Sequence, residues 1–314
     1  MDLIALESMM IAACGTGCAA SMAIEHLQTG GKRLRARLAL ASCAALGVTE
    51  EVSIGWAAAC EMAHNATLIH DDLQDGDTLR RGVSTTWARH GMVQAINVGD
   101  LLLMAPFSLI DTIPVDEAVR WRLGRLLASR IADVIRGQAD EAAIREAMDF
   151  SQERYEHAVR GKTSGLFELP VQGALTLAGN AHPEAKGFDL LGLAFQMQDD
   201  VLDLYGNKGR ESPGSDLKEG KISGLVVTHV VRAPQETARL RALLKAPRDA
   251  TPESEIVWAI EAFRQSGALG QVLDHIQTNI EKGRSRCMPR LYAVYDGLAQ
   301  SMMEPLKHLT NVLL

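Results

Sequence analysis

The chain of 314 residues carries 32 Lys and Arg against 39 Asp and Glu, a formal charge of −7, which excludes the dominant basic face of a nucleic-acid-binding protein. Aromatics at 4% and only 10 prolines argue for one all-α body, residues 1–314, with no Gly/Ser-rich or Pro-rich linker to divide it. The five cysteines, Cys14, Cys18, Cys43, Cys60 and Cys287, are odd in number and form no C-x-x-C pair, which excludes a disulfide scaffold and makes a reducing cytoplasm the expected location.

Helical periodicity with breaks at Gly or Pro predicts helices over residues 3–28, 32–47, 51–76, 91–112, 115–138, 151–179, 184–206 and 219–232, then four shorter ones. No stretch has a strand pattern, and no repeat of 20 to 50 residues is present. The apolar stretch Met9 to Ala20 resembles a leader, and Ile11-Ala12-Ala13-Cys14 a lipoprotein cleavage site. Asp2 and Glu7 are its only nearby charges, however, and without a basic n-region it reads as part of the first helix. No unbroken run of about 18 apolar residues occurs, so no membrane span is expected.

The second helix opens at Thr29-Gly30-Gly31-Lys32-Arg33, a glycine turn that sets Lys32 and Arg35 on one face beside free helix amides, where a phosphate is favoured. The third ends in Asp71-Asp72-Leu73-Gln74-Asp75, followed at once by Arg80-Arg81-Gly82. Further on, Arg160-Gly161-Lys162-Thr163 places more positive charge in a helical stretch. The acidic pentad then recurs as Asp199-Asp200-Val201-Leu202-Asp203.

On a helix the first and fifth residues of such a pentad share a face, so each copy presents paired carboxylates. Like charges at that spacing destabilise a helix, and uncompensated burial costs more, so a cation belongs between them. Mg²⁺ is the best candidate, because it takes oxygen ligands and is held by one or two carboxylates while gripping a phosphate. One pentad alone would also suit a solvated helix end; two copies, each behind an apolar stretch, argue for chemistry. The basic clusters supply enough positive charge for two diphosphates, one bridged by metal and one held by Lys and Arg directly. Gly206 to Gly220, rich in Gly, Ser and Lys, is the candidate mobile lid.

Taken in order, Gly30-Gly31-Lys32-Arg33-Leu34-Arg35, His64-Asn65-Ala66-Thr67-Leu68-Ile69-His70-Asp71-Asp72, Arg80-Arg81-Gly82, Lys162-Thr163, Gln196-x-x-Asp199-Asp200-x-x-Asp203 and Gly220-Lys221 resemble the trans-isoprenyl diphosphate synthases. The likeness runs from about residue 27 to 225, with a vaguer helical tail. It implies the isoprenoid synthase type I fold, a single-domain bundle of ten or more helices around a deep central cavity, and a homodimer. It also implies a reaction in which an allylic diphosphate ionises and isopentenyl diphosphate adds to the cation, with three Mg²⁺ per site. By this likeness Asp71, Asp75 and Asp199 are direct metal ligands, and Asp72, Asp200 and Asp203 bind through water or order the ligands. Lys32, Arg35, His64 and Arg81 hold isopentenyl diphosphate; Arg80, Lys162 and Lys221 hold the allylic diphosphate; Thr163 and Gln196 turn oxygens toward the cation. The departing diphosphate takes the final proton, so no side-chain base is expected.

Product length should follow the depth of an apolar shaft behind the first pentad. The residues one to three turns back are Thr67 and Ala66, Ala63, and Cys60, all small, which predicts a product of C20 or longer. Met62, Met104 and Phe107 are the alternative floor. Three departures stand out: Ala36 replaces a common Pro, Ser212 replaces a lid Lys with Arg210 as a substitute, and the tail ending Asn311-Val312-Leu313-Leu314 lacks a basic terminus. The rival readings are a farnesyl diphosphate synthase, a class I terpene synthase and a silent partner subunit. The second anion site argues against the terpene synthase, and the intact pentads and Lys162 against the silent subunit.

Overall fold

A computed structural model describes residues 3–206 and 213–310; Arg210, Ser212 and the 311–314 tail lie outside the described residues. Among the described residues the architecture is all-α apart from one hairpin of two-residue strands, and the chain falls into two compact units, residues 1–132 with 166–185, and 133–165 with 186–314.

The first unit contains α1 (Leu3–Ala13), α2 (Cys18–Gln28), α3 (Leu34–Leu46), α4 (Glu50–Asp75), the hairpin of β1 (Leu79–Arg80) and β2 (Val83–Ser84), α5 (Thr86–His90), α6 (Met92–Asp111) and the first half of α7 (Glu117–Ala147). The expected 3–28 helix is broken into α1 and α2, with Gly15 and Gly17 at φ 71° and 109° between them. Helix α4 is the hub, packed against α3, α6 and α1. Its run Trp56-Ala57-Ala58-Ala59-Cys60, with Met62, Ala63, Ala66 and Ile69, is buried nearly all round, and Trp56 Nε1 donates to the Pro170 carbonyl at 3.0 Å. Glu50 and Glu51 in its first turn oppose the positive end of its dipole favourably.

Among the described residues α6 is the one helix long and apolar enough, by length and composition, to cross a membrane; half of its most apolar window is buried inside the fold. Met92, Val93, Ile96 and Met104 on α6 and Trp121 on α7 are exposed.

The second unit contains the rest of α7, α8 (Gln152–Val159), α10 (Phe188–Tyr205), α11 (Ser215–Lys218), α12 (Gly224–Arg232), α13 (Thr237–Lys245), α14 (Glu253–Gln265), α15 (Ala268–Arg286), α16 (Tyr292–Met303) and α17 (Lys307–Thr310). The predicted 151–179 helix is interrupted by a π turn, Arg160–Ser164, after which α9 (Gly165–Leu177) continues, residues 166 onward belonging to the first unit. Helix α10 is the hub here, packed on α15 and on the π turn, with Phe188 edge-on to Tyr295 at 5.3 Å.

Candidate active site

Both acidic pentads occupy the last turns of their helices, Asp71–Asp75 in α4 and Asp199–Asp203 in α10. Carboxylates there oppose the negative end of the helix dipole, so the sequence breaks a local stability rule at two matching places. Within each pentad the carboxylates divide into two kinds. Asp72 is 2% exposed and takes a two-pronged bond from Arg80, whose Nε lies 2.8 and 2.9 Å from its two oxygens. Burial pushes the Asp72 carboxyl above the ordinary range, and the Arg80 hydrogen bonds and charge pull it back. Asp71 and Asp75 are only half-buried.

The hairpin explains why adjacent arginines diverge. Arg81 and Gly82, the two turn residues, have φ of 54° and 76°, the left-handed pair a two-residue hairpin turn needs, and the strands are too short to leave a sequence period. Arg80 is thereby directed to Asp72, and Arg81 to the Gly30 carbonyl. The Arg81 guanidinium lies over Gly31, where a Cβ would sit 2.7 Å from it; only glycine, here at φ 132°, leaves that space. In the same glycine turn Lys32 is exposed, whereas Arg33 turns inward to Glu7 (3.1 Å) and the Leu27 carbonyl (2.5 Å). Arg35 is buried, its guanidinium 4.7 Å from the centre of the Phe167 ring. Ala36 donates its amide to buried Glu61 at 3.1 Å, a bond the proline common at this position in the similar family could not make.

His64 is half-buried, with Nδ1 its sealed nitrogen. Burial, then the charges of Arg35, Arg80 and Arg81, hold its pKa well below the usual histidine range, so the ring is neutral.

In the second unit, Lys162 lies on the π turn and pairs with Glu141 at 2.6 Å; Lys221 pairs with Glu219 at 2.7 Å. Thr163 Oγ1 donates to Gln196 Oε1 at 2.8 Å, and Gln196 Nε2 donates to Asp200 at 3.1 Å, so the two uncharged oxygens sit together. Asp200 also accepts from the Tyr155 hydroxyl and the Gly224 amide, both at 2.7 Å. Burial and the nearby Asp216 push its carboxyl up to about 6 despite these donors. Asp203 is buried and accepts the Asp216 amide at 3.1 Å, whereas Asp199, one turn earlier on the same helix, is half-buried. Half-buried carboxylates of this kind suit a hard cation completed by substrate oxygens and water. Among the described residues no three His, Cys, Asp or Glu side chains form a protein-only metal cage.

Cys60, Ala63 and Ala66 are 0%, 1% and 0% exposed, sealed in the first unit's core rather than lining an open bore, and of the four positions only Thr67 is half-buried. Met62 is buried, whereas Met104, at 58% exposure, faces outward and makes no floor. His26, Glu61, Glu141 and Tyr155 escaped the sequence reading. Tyr155 lies two helical turns before Thr163, a spacing that marks a shared face but not a carboxylate partner.

A model of the polyprenyl synthetase family matches residues 19–263. The chain is 32% identical to the short chain isoprenyl diphosphate synthase of Methanothermobacter thermautotrophicus over 83% of its own length and 82% of the relative's. It is 30% identical to the geranylgeranyl diphosphate synthase of Saccharolobus solfataricus over 73% and 71% of the two chains. Its structure resembles the polyprenyl synthase of Caulobacter crescentus, crystallised with calcium and isoprenyl diphosphate, with a TM-score of 0.84 and 26% identity, covering 96% of this chain and 93% of that one.

Proposed function

Because this chain belongs to the polyprenyl synthetase family, we propose that it condenses isopentenyl diphosphate with dimethylallyl, geranyl or farnesyl diphosphate to give an all-trans polyprenyl diphosphate of C20 or longer. It is a prenyltransferase of the isoprenoid synthase type I fold. The observation that carries the reading is the division within each pentad: Asp72, Asp200 and Asp203 are buried and hydrogen-bonded, while Asp71, Asp75 and Asp199 are half-buried at the helix ends.

In this reading Asp71, Asp75 and Asp199 hold Mg²⁺, three ions per site, and Asp72, Asp200 and Asp203 order them through water or neighbouring donors. Bound there, a divalent metal would supply positive charge to a departing diphosphate. Arg80, Lys162 and Lys221 stabilise the same growing negative charge. The Thr163 and Gln196 oxygens, fixed together through Asp200, face the allylic cation. Lys32, Arg35, His64 and Arg81 hold isopentenyl diphosphate, and its proton leaves to the departed diphosphate without a side-chain base.

We assign residues 1–314 to a single isoprenoid synthase domain. We assign the exposed apolar residues of α6 and α7 to a homodimer contact and the chain to the cytoplasm. Turnover of farnesyl diphosphate with radiolabelled isopentenyl diphosphate and Mg²⁺, read by mass spectrometry, is expected to give C20 or longer. A product that stops at C15 when geranyl diphosphate is the starter, or turnover that ignores isopentenyl diphosphate, would overturn it.

A further inference from the structure

Among the described residues, the non-glycine positions with left-handed backbone are Arg33, Arg81 and Met148. Two of them serve one turn, since Arg33 ends the Gly30–Arg33 segment and Arg81 binds the Gly30 carbonyl. Arg33 has φ 50° and ψ 44°, a conformation that costs an arginine free energy and persists only where its surroundings over-determine it. Its side chain shows what does so. The Arg33 side chain is 3% exposed, Nη2 donates to the Leu27 carbonyl at 2.5 Å, and Nε donates to Glu7 Oε1 at 3.1 Å. Nη1 is buried with no hydrogen-bond partner, and Glu7, on α1 and 26 residues earlier, is the one carboxylate that Arg33 meets among the described residues.

The turn is held by its carbonyls. Leu27 accepts from Arg33, Gly30 from Arg81, and Lys32 from Arg37 Nε at 2.9 Å, so three arginines grip three carbonyls of one short segment. In a trans peptide the N–H points opposite to the C=O, so fixing the Gly30 and Lys32 carbonyls also fixes the directions of the Gly31 and Arg33 amides. The Arg37 and Arg81 bonds lie open to solvent, whereas the Arg33 bond to Leu27 is buried. Removing the Glu7 carboxylate would leave a buried guanidinium with a neutral carbonyl as its partner, which an interior relieves by moving the group. Movement of Arg33 releases the left-handed residue, and with it the directions in which the backbone sends Lys32 before it and Arg35 after it.

We propose that Glu7 on α1 is a positioning residue for the isopentenyl diphosphate-binding turn: its hold on Arg33 keeps a left-handed residue between Lys32 and Arg35 and so sets both cations for one anion. The inference rests on the reading of Lys32 and Arg35 as contacts for that diphosphate. A Glu7–Arg33 pair that only fastened α1 to the rest of the first unit would change stability and leave the Michaelis constants alone.

Steady-state kinetics of full-length variants, with isopentenyl and farnesyl diphosphates varied separately in the presence of Mg²⁺, test this. Glu7→Leu is expected to raise KM for isopentenyl diphosphate about tenfold, with kcat and the farnesyl diphosphate KM within about twofold of the parent. Glu7→Gln, which keeps an acceptor for Arg33 Nε, is expected to stay within about threefold. Glycine enters the left-handed region freely and alanine does not, so Arg33→Ala is expected to raise the same KM about tenfold and Arg33→Gly by no more than about threefold. Adding Glu7→Leu to Arg33→Gly should then change KM no further. A parental KM in Glu7→Leu, equal damage in Arg33→Gly and Arg33→Ala, or a rise in both KM values together would each overturn the proposal. If Lys32→Ala turns over with a parental KM for isopentenyl diphosphate, the reading of the turn falls and takes this inference with it; a raised KM in Lys32→Ala beside a parental one in Glu7→Leu overturns the inference alone. The comparison of Arg33→Gly with Arg33→Ala decides the matter even if Glu7→Leu fails to fold.

Discussion

His26 and His64 are neutral rings held among arginines, and that has a consequence for stability. An unfolded histidine takes up a proton below about pH 6.5, whereas folded His26 resists down to about pH 4. Between those values the unfolded chain holds more protons, so the contribution is intact above pH 6.5 and is lost as the pH falls through the window. The gap corresponds to roughly 2 kcal/mol between pH 7.5 and pH 5. Urea unfolding at the two pH values should show that drop, and His26→Gln should be less pH-sensitive by about the same amount; equal slopes would contradict it. This residue was not legible in the sequence, although His64 was. The spacing of His64 from the first pentad marks it as a candidate, while His26 meets Asn65 and the arginines only because α2 brings it there, a tertiary fact without a local pattern.

At the scale of elements, the π turn that carries Lys162 depends on a glycine in another helix. A Cβ on Gly137 of α7 would lie 2.3 Å from the Lys162 backbone nitrogen and 2.7 Å from the Ala158 carbonyl oxygen, so the added methyl meets main chain that has no flexible end to move. Gly137→Ala should therefore shift the turn, cost about 1–3 kcal/mol and lower kcat by roughly a hundredfold. Gly270→Ala in α15, where nothing lies within 4 Å of the new Cβ, should instead leave kcat alone and raise stability by up to about 1 kcal/mol. Thermal melting and steady-state kinetics of the pair would check both; a Gly137→Ala enzyme with parental kcat would refute the coupling. The helices themselves were readable from apolar period and glycine breaks. The π turn was not, because one extra residue in a helical turn leaves the apolar period on either side nearly undisturbed. The Arg81-Gly82 hairpin escaped for the opposite reason, since two-residue strands have no period to detect.

For the molecule as a whole, the all-α class and the family were legible because charged motifs stand in a fixed order through long apolar helices. The depth available to a growing chain was less so, since helical spacing tells which residues share a face but not what covers them. Of the four small residues behind the first pentad, three are sealed by neighbours, so on the proposed reading Thr67 is the position that a product would meet first. Thr67→Phe should shorten the product to C15 or below with little loss of stability, whereas Ala63→Phe should overpack the core and cost about 1–3 kcal/mol. Mass spectrometry of products beside melting curves separates the two. Unchanged chain length in Thr67→Phe would move the stop elsewhere.

Lys162 and Lys221 of the second unit are already engaged, Lys162 by Glu141 and Lys221 by Glu219. On the proposed roles of Lys162 and Lys221, capture of a prenyl diphosphate would be a displacement, in which the incoming anion must outcompete an incumbent carboxylate at each lysine. A monoester phosphate, a carboxylic acid or chloride offers little that Glu141 and Glu219 do not already provide, so such ions gain almost nothing by entering. A ligand with many oxygens, accompanied by its own divalent counter-ions, would gain at both lysines at once, which on the proposed reading would set a threshold against the crowd of simpler anions in a cell.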